Sequence, residues 1–479
     1  MKKNYPNSFL KYFVLLAFVL VASQLYAQTT AIPDPNFEQA LINQGIDKDF
    51  TVNGQVANKD IENIEELDVS FNDIYDITGI EGFTNLKKLI INDNYIEAID
   101  LTQNYELEYL DCAENLISIL DLSNNSKLIS VFVHGPRSNL SEIILTGLTS
   151  LENLSCADNY GLTEINLSSN SNLKYLTTSG TPIEILDVSN NTKLEYLDCV
   201  GNFDYMDISE NGSIKELDLS NNNSLKTVFC SKNKIEKLTL NPMVETLDCS
   251  NNRLSQLDLM NATNLESLTC GINPISKLDL NNNINLKYLY CSDGVLEELL
   301  VEKTGLLERI ICENNYLVDL NLNNNSNLTQ LNANRNRLEN LNVANGNNEI
   351  LNYFNAQDNS NLICISVDNA DAANAGIGTY ANWTKGPSAI YSESCFALGI
   401  DDEILSSGLN IYPNPVFNSF TIESQTPLEK VEIYTILGQK VIEKSSELST
   451  VSTEVLSKGI YMLKVFSENG NTTRRLIKQ

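Results

Sequence analysis

Histidine and tryptophan are almost missing from this chain: His134 and Trp383 are single occurrences in 479 residues. One histidine excludes histidine-rich metal sites, and no CxxC pair offers a thiolate alternative. Absent too are HExxH, GxSxG and GxxxxGK[ST], which removes zincin, serine-hydrolase and P-loop chemistry as readings of the sequence. Basic residues are scarce, 32 Lys+Arg against 62 Asp+Glu. A net charge of −30 argues against nucleic acid, whose binding depends on neutralising phosphates. It suits solubility, cationic partners or divalent ions.

Long apolar runs are lacking after the N-terminus. Lys2 and Lys3, the run from Phe13 to Val21 and the small-residue stretch ending Tyr26-Ala27-Gln28 read as a secretory signal peptide over 1–27. That run is too short for a membrane span. The expectation is an exported chain that is not a transmembrane protein. The negative charge lies in the middle, because residues 407–479 hold eight Lys/Arg against seven Glu.

What is abundant is a phrase. Leu265-x-x-Leu268-x-Cys270-x-x-Asn273-x-Ile275-x-x-Leu278-x-Leu280-x-x-Asn283 recurs with a 21-residue period. Units open at Ile64, Leu86, Leu107, Leu128, Leu151, Leu173, Leu194, Leu225, Val244, Leu265, Leu286, Leu307, Leu328 and Leu351, with a stray half-unit from Ile214 to Ser224. A fixed period of this length means a stacked architecture, since one unit cannot bury its apolar edge alone. Over 64–367 the phrase resembles the leucine-rich repeat, and its nested halves are similar to the 21-residue bacterial subclass. That resemblance implies an α/β-type repeat solenoid with a parallel β-sheet.

The flanks read as caps. In 28–63, Asp34, Pro35 and Gly45 mark the start and stop of a helix whose Phe37, Ala40 and Leu41 share a face. Residues 368–396 abandon the repeat and hold Trp383. Asp47-x-Asp49-x-Thr51-x-Asn53 alternates oxygens like a calcium loop, but Gly54 is misplaced and Asn58 stands where a glutamate is needed. Gly376-Ile377-Gly378-Thr379-Tyr380-Ala381 mimics a dinucleotide loop without the strand–helix–strand unit. No metal and no cofactor is expected, and no catalytic residue.

Eight of the ten cysteines (112, 156, 199, 230, 249, 270, 291, 312) take the sixth place of the phrase, where Val69, Ile91, Val133, Leu219 and Ala333 stand elsewhere. That interchange describes a small buried hydrophobe. In-register neighbours on parallel strands are poorly placed for disulfides. Cys364 and Cys395 lie outside the column, and an oxidising compartment favours their pairing. Asparagines at the ninth place (Asn94, Asn115, Asn159, Asn202, Asn233, Asn252, Asn273, Asn336) suit backbone groups in turns.

Strand alternation turns the third, fifth and seventh places outward. The candidate binding residues are Tyr109, Asp111, Phe132, His134, Tyr175, Tyr196, Asp198, Phe229, Asp248, Tyr288 and Tyr290. Tyrosine beside aspartate suits a recognition face, for a protein or for a polysaccharide stacked on the rings. Mutual support across strands is the competing reading of the same aromatics. Either half-unit could form the sheet; the cysteine half is the more regular.

After a linker at 397–406, residues 407–479 alternate as short strands of a small β-sandwich. Tyr412-Pro413-Asn414-Pro415, Leu437-Gly438-Gln439, Gly459-Ile460-Tyr461 with Leu463-Lys464-Val465, and Leu476-Ile477-Lys478-Gln479 resemble the C-terminal sorting domain of the type IX secretion system. The resemblance implies passage through the periplasm, engagement of that machinery, and release or fixation at the cell surface after the domain is removed. The whole reads as a non-catalytic binding or adhesion module, with polysaccharide capture as the alternative.

Overall fold

The computed structural model describes residues 29–138, 140–201, 212–395, 409–424, 427–436, 438–467 and 470–479. The leader, the linker, Asn202 and Leu437 lie outside the described residues. The chain divides into two compact units, Met1–Pro274 and Ile275–Gln479.

In the first unit each cysteine half-unit contributes one three-residue strand. Ten such strands pair parallel and in register, from Glu66–Asp68 through Tyr109–Asp111, Tyr196–Asp198 and Thr246–Asp248 to Ser267–Thr269. The central residue of each strand is buried and its two neighbours are not. Burying each of these leucines or valines contributes roughly 2 kcal/mol, which sets the register of every coil. The other half-units form only short pairs, such as Ile119–Asp121 with Glu142–Ile144. The extended sheet is therefore built by the cysteine halves.

Two ladders of asparagine hold the turns. Asn115 donates from Nδ2 to the carbonyls of Ile91 at 2.9 Å and Cys112 at 3.2 Å, and its Oδ1 accepts from the Ile96 amide at 3.0 Å. Asn252 repeats this with Cys230, Cys249 and Ile235. A second ladder runs through the other halves. There Asn125 donates to Leu101 and Asn104, and Asn191 to Leu167 and Asn170. The residue before the first ladder takes a left-handed backbone in unit after unit, including Asp93 (φ 56), Glu114 (φ 51) and Ile272 (φ 53). For a β-branched residue such as Ile272 this conformation is strained, and the two flanking ladder bonds hold it.

The half-unit at Ile214–Ser224 is not a stray. Its strand Glu216–Asp218 pairs with Lys237–Thr239, while Tyr196–Asp198 pairs directly with Thr227–Phe229. Asn222 reaches 31 residues back to Asn191, where Asn191 itself reaches 21 residues back to Asn170. Ile214–Ser224 thus completes the coil that opens at Leu194, and the extra chain enters between two preserved registers.

The N-terminal helix Pro35–Asn43 covers the first coils, with Phe37 fully buried 6.5 Å from the Phe83 ring. Asp34 joins helix to repeat. Its Oδ1 accepts from the amides of Asn36 (2.8 Å) and Phe37 (3.1 Å), and its Oδ2 from those of Tyr75 (2.7 Å) and Asp76 (3.0 Å). Buried Glu38 is satisfied in the same way by the amides of Asn53, Gly54 and Gln55. The Asp47 loop is organised within itself: Asp47 accepts from the Asp49 amide, and Asp49 from Thr51 and Asn53.

In the second unit, strands from Tyr288–Tyr290 to Thr384–Lys385 pair parallel in the same manner. Trp383 closes the last coil: its ring stacks on Phe354 at 4.4 Å and its Nε1 donates to the Leu351 carbonyl at 2.9 Å. Gly376 (φ 63) caps the helix Ala370–Ala375, so the glycines of the apparent nucleotide loop serve a turn. Cys364 and Cys395 are joined, with Cα atoms 5.8 Å apart.

Residues 409–479 form two antiparallel sheets around one core that includes Val416, Phe420, Val431, Ile433, Leu463 and Leu476. Asn414 donates to the Arg475 carbonyl at 2.7 Å and accepts from the Ile477 amide at 2.8 Å, tying the Pro-Asn-Pro phrase to the final strand. Burial alone would raise the Glu432 carboxyl, but hydrogen bonds from Tyr434, Lys430 and Lys440 outweigh it and hold it at about 2.

Removing the Asp34 carboxylate leaves four amides without their acceptor. Asp34→Ala is expected to cost about 2–4 kcal/mol, read as a fall in the denaturation midpoint of the first unit by tryptophan-independent circular dichroism.

Candidate binding face

The outward residues of the cysteine halves form rows on the extended sheet, because in-register pairing places equivalent positions at the usual strand spacing of about 4.8 Å. In the first unit two clusters arise. Tyr109 and Phe132 have ring centroids 5.5 Å apart, with Asp111 directly paired to Phe132 in the register. His134 lies just beyond, its Nδ1 3.4 Å from the Ser155 hydroxyl. The second cluster is larger. Tyr175 and Tyr196 lie 6.4 Å apart, and Tyr196 meets Phe229 edge-on at 5.9 Å. Phe229 pairs with Asp198 on one side and Asp248 on the other. One aromatic ring is thereby flanked by two carboxylates.

Phe132 and Phe229 are half-buried, since their neighbours' rings cover part of each. Tyr175 stays 46% exposed, enough to offer a ring face to a ligand. Burial pushes the carboxyls of Asp111 and Asp198 up. The hydrogen bond from the Ala113 amide and the neighbouring His134 imidazole partly offset this at Asp111. At Asp198 the Val200 amide and the Ser179 hydroxyl do so. Burial likewise raises the hydroxyls of Tyr109 and Tyr196, with Asp111 and Asp198 adding to it.

The second unit shows the same residue types in a different arrangement. Tyr288 donates to Glu308 at 3.1 Å, and Arg309 donates from Nη1 to the Tyr290 hydroxyl at 2.9 Å. The sequence reasoning that named Tyr288 and Tyr290 as candidates did not name their partners, Arg309 at the third place of the adjacent strand's unit and Glu308 just before that strand. In the first unit it missed Ser179. Arg309 and Ser179 stand at outward places, the third and the seventh, and only Glu308, at the second place, lies off those columns.

The eight column cysteines are buried free thiols. Desolvation raises the thiols of Cys112, Cys199, Cys230 and Cys249, and those of Cys156, Cys270 and Cys312 to about 12. A thiol so raised is no nucleophile at neutral pH. Among the described residues no group of three or more His, Cys, Asp or Glu is placed to hold a metal ion. Among the same residues no helix is long and apolar enough to cross a membrane.

This geometry defines a leucine-rich repeat solenoid presenting an aromatic and acidic sheet face. Comparison with solved structures agrees on the fold. The functional domain of InlJ from Listeria monocytogenes, which includes a cysteine ladder, superposes with a TM-score of 0.57 at 23% identity, over 94% of this chain and 99% of that one. An internalin, inlF, of the same species gives 0.51 at 22% identity, over 77% and 97%. The Leptospira interrogans leucine-rich repeat protein LIC12759 gives 0.52 at 16% identity, over 70% and 97%.

Residues 410–479 match the family described as the secretion system C-terminal sorting domain. The chain therefore ends in a type IX sorting domain, which marks it as secreted or carried to the outer face of the outer membrane. No curated protein sequence matches the chain.

Denatured without reduction, the protein should yield eight titratable thiols per chain, with Cys364 and Cys395 unreactive until reductant is added. A count below six would remove the buried-thiol assignment.

Proposed function

We propose that this exported leucine-rich repeat protein is a non-catalytic binding or adhesion module, and that it recognises its ligand with the tyrosine- and aspartate-bearing face of the extended sheet. The observation that carries the reading is the row of half-exposed rings set in register against carboxylates across successive strands. Polar and apolar contact so combined, on a rigid scaffold that costs little entropy on binding, is what recognition surfaces share. Among the described residues the interior columns of the repeat are filled by leucine, cysteine and asparagine, which leaves the outward columns to vary.

The domain plan supports this assignment of labour. We assign the leader 1–27 to export into the periplasm, 28–63 and 368–396 to capping, 64–367 to recognition, and 407–479 to the type IX machinery through the linker 397–406. A protein ligand at the cell surface is the partner we favour. A glycan stacked on the tyrosines is the alternative that the same experiments read.

Two measurements test the assignment. The purified mature chain is screened against whole cells, surface-protein extracts and a glycan array. Tyr196→Ala combined with Tyr288→Ala is expected to weaken capture by tenfold or more, with the melting curve unchanged. Undiminished capture by the double variant would move the ligand off this face. Separately, deletion of 407–479 is expected to hold the protein in the periplasm. Surface delivery of the truncated chain at normal levels would contradict the sorting role.

A further inference from the structure

The two ring-and-carboxylate clusters of the first unit share a feature that neutral ligands do not need. Phe229 has Asp198 and Asp248 as its in-register neighbours, and Phe132 has Asp111. The negative face of an aromatic ring attracts a cation, and a flanking carboxylate attracts the same cation through charge-assisted hydrogen bonds. A guanidinium is flat enough to lie on the ring and wide enough to donate sideways to the carboxylates.

The repeats already use this chemistry within the chain. Lys88 lies 5.4 Å over the Tyr109 ring, and the Arg337 guanidinium lies 4.0 Å over Tyr316. Arg309 donates to the Tyr290 hydroxyl. Lys232, three residues beyond Phe229 in sequence, feels the charge of Asp248. Basic residues at the outer ends of the strands are otherwise engaged: Lys174 with Glu152 at 2.9 Å and Lys226 with Glu245 at 2.9 Å. The whole chain carries a charge of −30, which disfavours a second copy as the occupant and steers a basic partner toward it.

We infer that the occupant of this face is a basic, arginine-bearing protein segment, with one guanidinium seated at Phe229 between Asp198 and Asp248 and a second at Phe132 beside Asp111. This rests on the face being the binding site, and goes beyond it by naming the partner's chemistry. The register also gives a spacing. Phe132 and Phe229 stand four strands apart, on Ser130–Phe132 and Thr227–Phe229, with three strands between them. At ~4.8 Å per strand that is roughly 19 Å, which an extended segment at ~3.3 Å per residue spans with arginines about six positions apart.

The probe is a twelve-residue Gly/Ser peptide carrying two arginines six positions apart, titrated by fluorescence anisotropy into the mature chain. Its comparators replace both arginines by citrulline, or set them two positions apart. Citrulline keeps the shape and removes the charge, and is expected to bind at least tenfold more weakly. Asp198→Asn and Phe229→Leu, both near in volume to the native residues, are each expected to weaken the arginine peptide by tenfold or more. The affinity should also fall as salt rises from 0.05 to 0.5 M.

Equal binding of the citrulline peptide overturns the inference, as does no binding of the arginine peptide, or indifference to both substitutions. If instead a neutral hexasaccharide binds and Phe229→Leu abolishes it, the face remains the binding site and the cationic partner is wrong. If a ligand captured from cells is untouched by Phe229→Leu and by the double tyrosine variant alike, the binding-face assignment itself fails.

Discussion

The whole repeat region depends on how the turns of a coil satisfy their backbone. A strand of three residues leaves most of its unit in irregular chain, and a buried carbonyl or amide without a partner costs on the order of 1–3 kcal/mol. The asparagine ladders meet that demand from within. One amide serves its own turn and the preceding one, as Asn252 does for Cys249 and Cys230. The bonding is therefore between coils as much as within them, so no coil is complete without its neighbour. The same requirement explains why the ends need special covers, Asp34 with the N-terminal helix on one side and Trp383 on the other.

With the interior of the repeat given to leucine, asparagine and thiol, the residue types that vary from unit to unit stand on the outward columns. The cysteines illustrate the division. Their column is buried and desolvated, and its thiols sit well above their ordinary range. The residues on either side of the same strands carry the variation instead: tyrosine, phenylalanine, aspartate, serine. Regular registry fixes the order of these rings and charges across the strands. The extra chain before Ile214 shows how strongly registry is kept, since both half-coils resume their pairings across it.

The sorting segment follows a different logic. Its antiparallel sheets close on one small core, and its opening and closing phrases are bonded together through Asn414, Arg475 and Ile477. Phrases more than sixty residues apart in sequence are thus parts of one structural feature, which explains why they occur as a set. Glu432, on an inner strand of the larger sheet, is held ionised by Tyr434, Lys430 and Lys440, the last of them on the edge strand. Its folded-state pKa lies below its ordinary 4.5, so its contribution is present above that value and fades as pH falls toward 2.

The sequence by itself determined the repeat, its period, the buried status of the cysteine column and the sorting segment, because each is written as residue type at fixed spacing. Periodic burial repeats leucine, cysteine and asparagine at fixed inward places, and that constraint is local enough to read. It did not reveal that Ile214–Ser224 belongs to the coil opened at Leu194, because the pairing partner Lys237–Thr239 comes later in the chain. Nor did it show the second asparagine ladder as a ladder, the left-handed residue before the first, or the four amides that converge on Asp34. Those are agreements between atoms distant in sequence. Above all, only the tertiary structure decided which rings meet and which carboxylates flank them. Phe229 stands between Asp198 and Asp248 because in-register strand pairing puts them side by side, and registry is a property of the stack rather than of any single phrase.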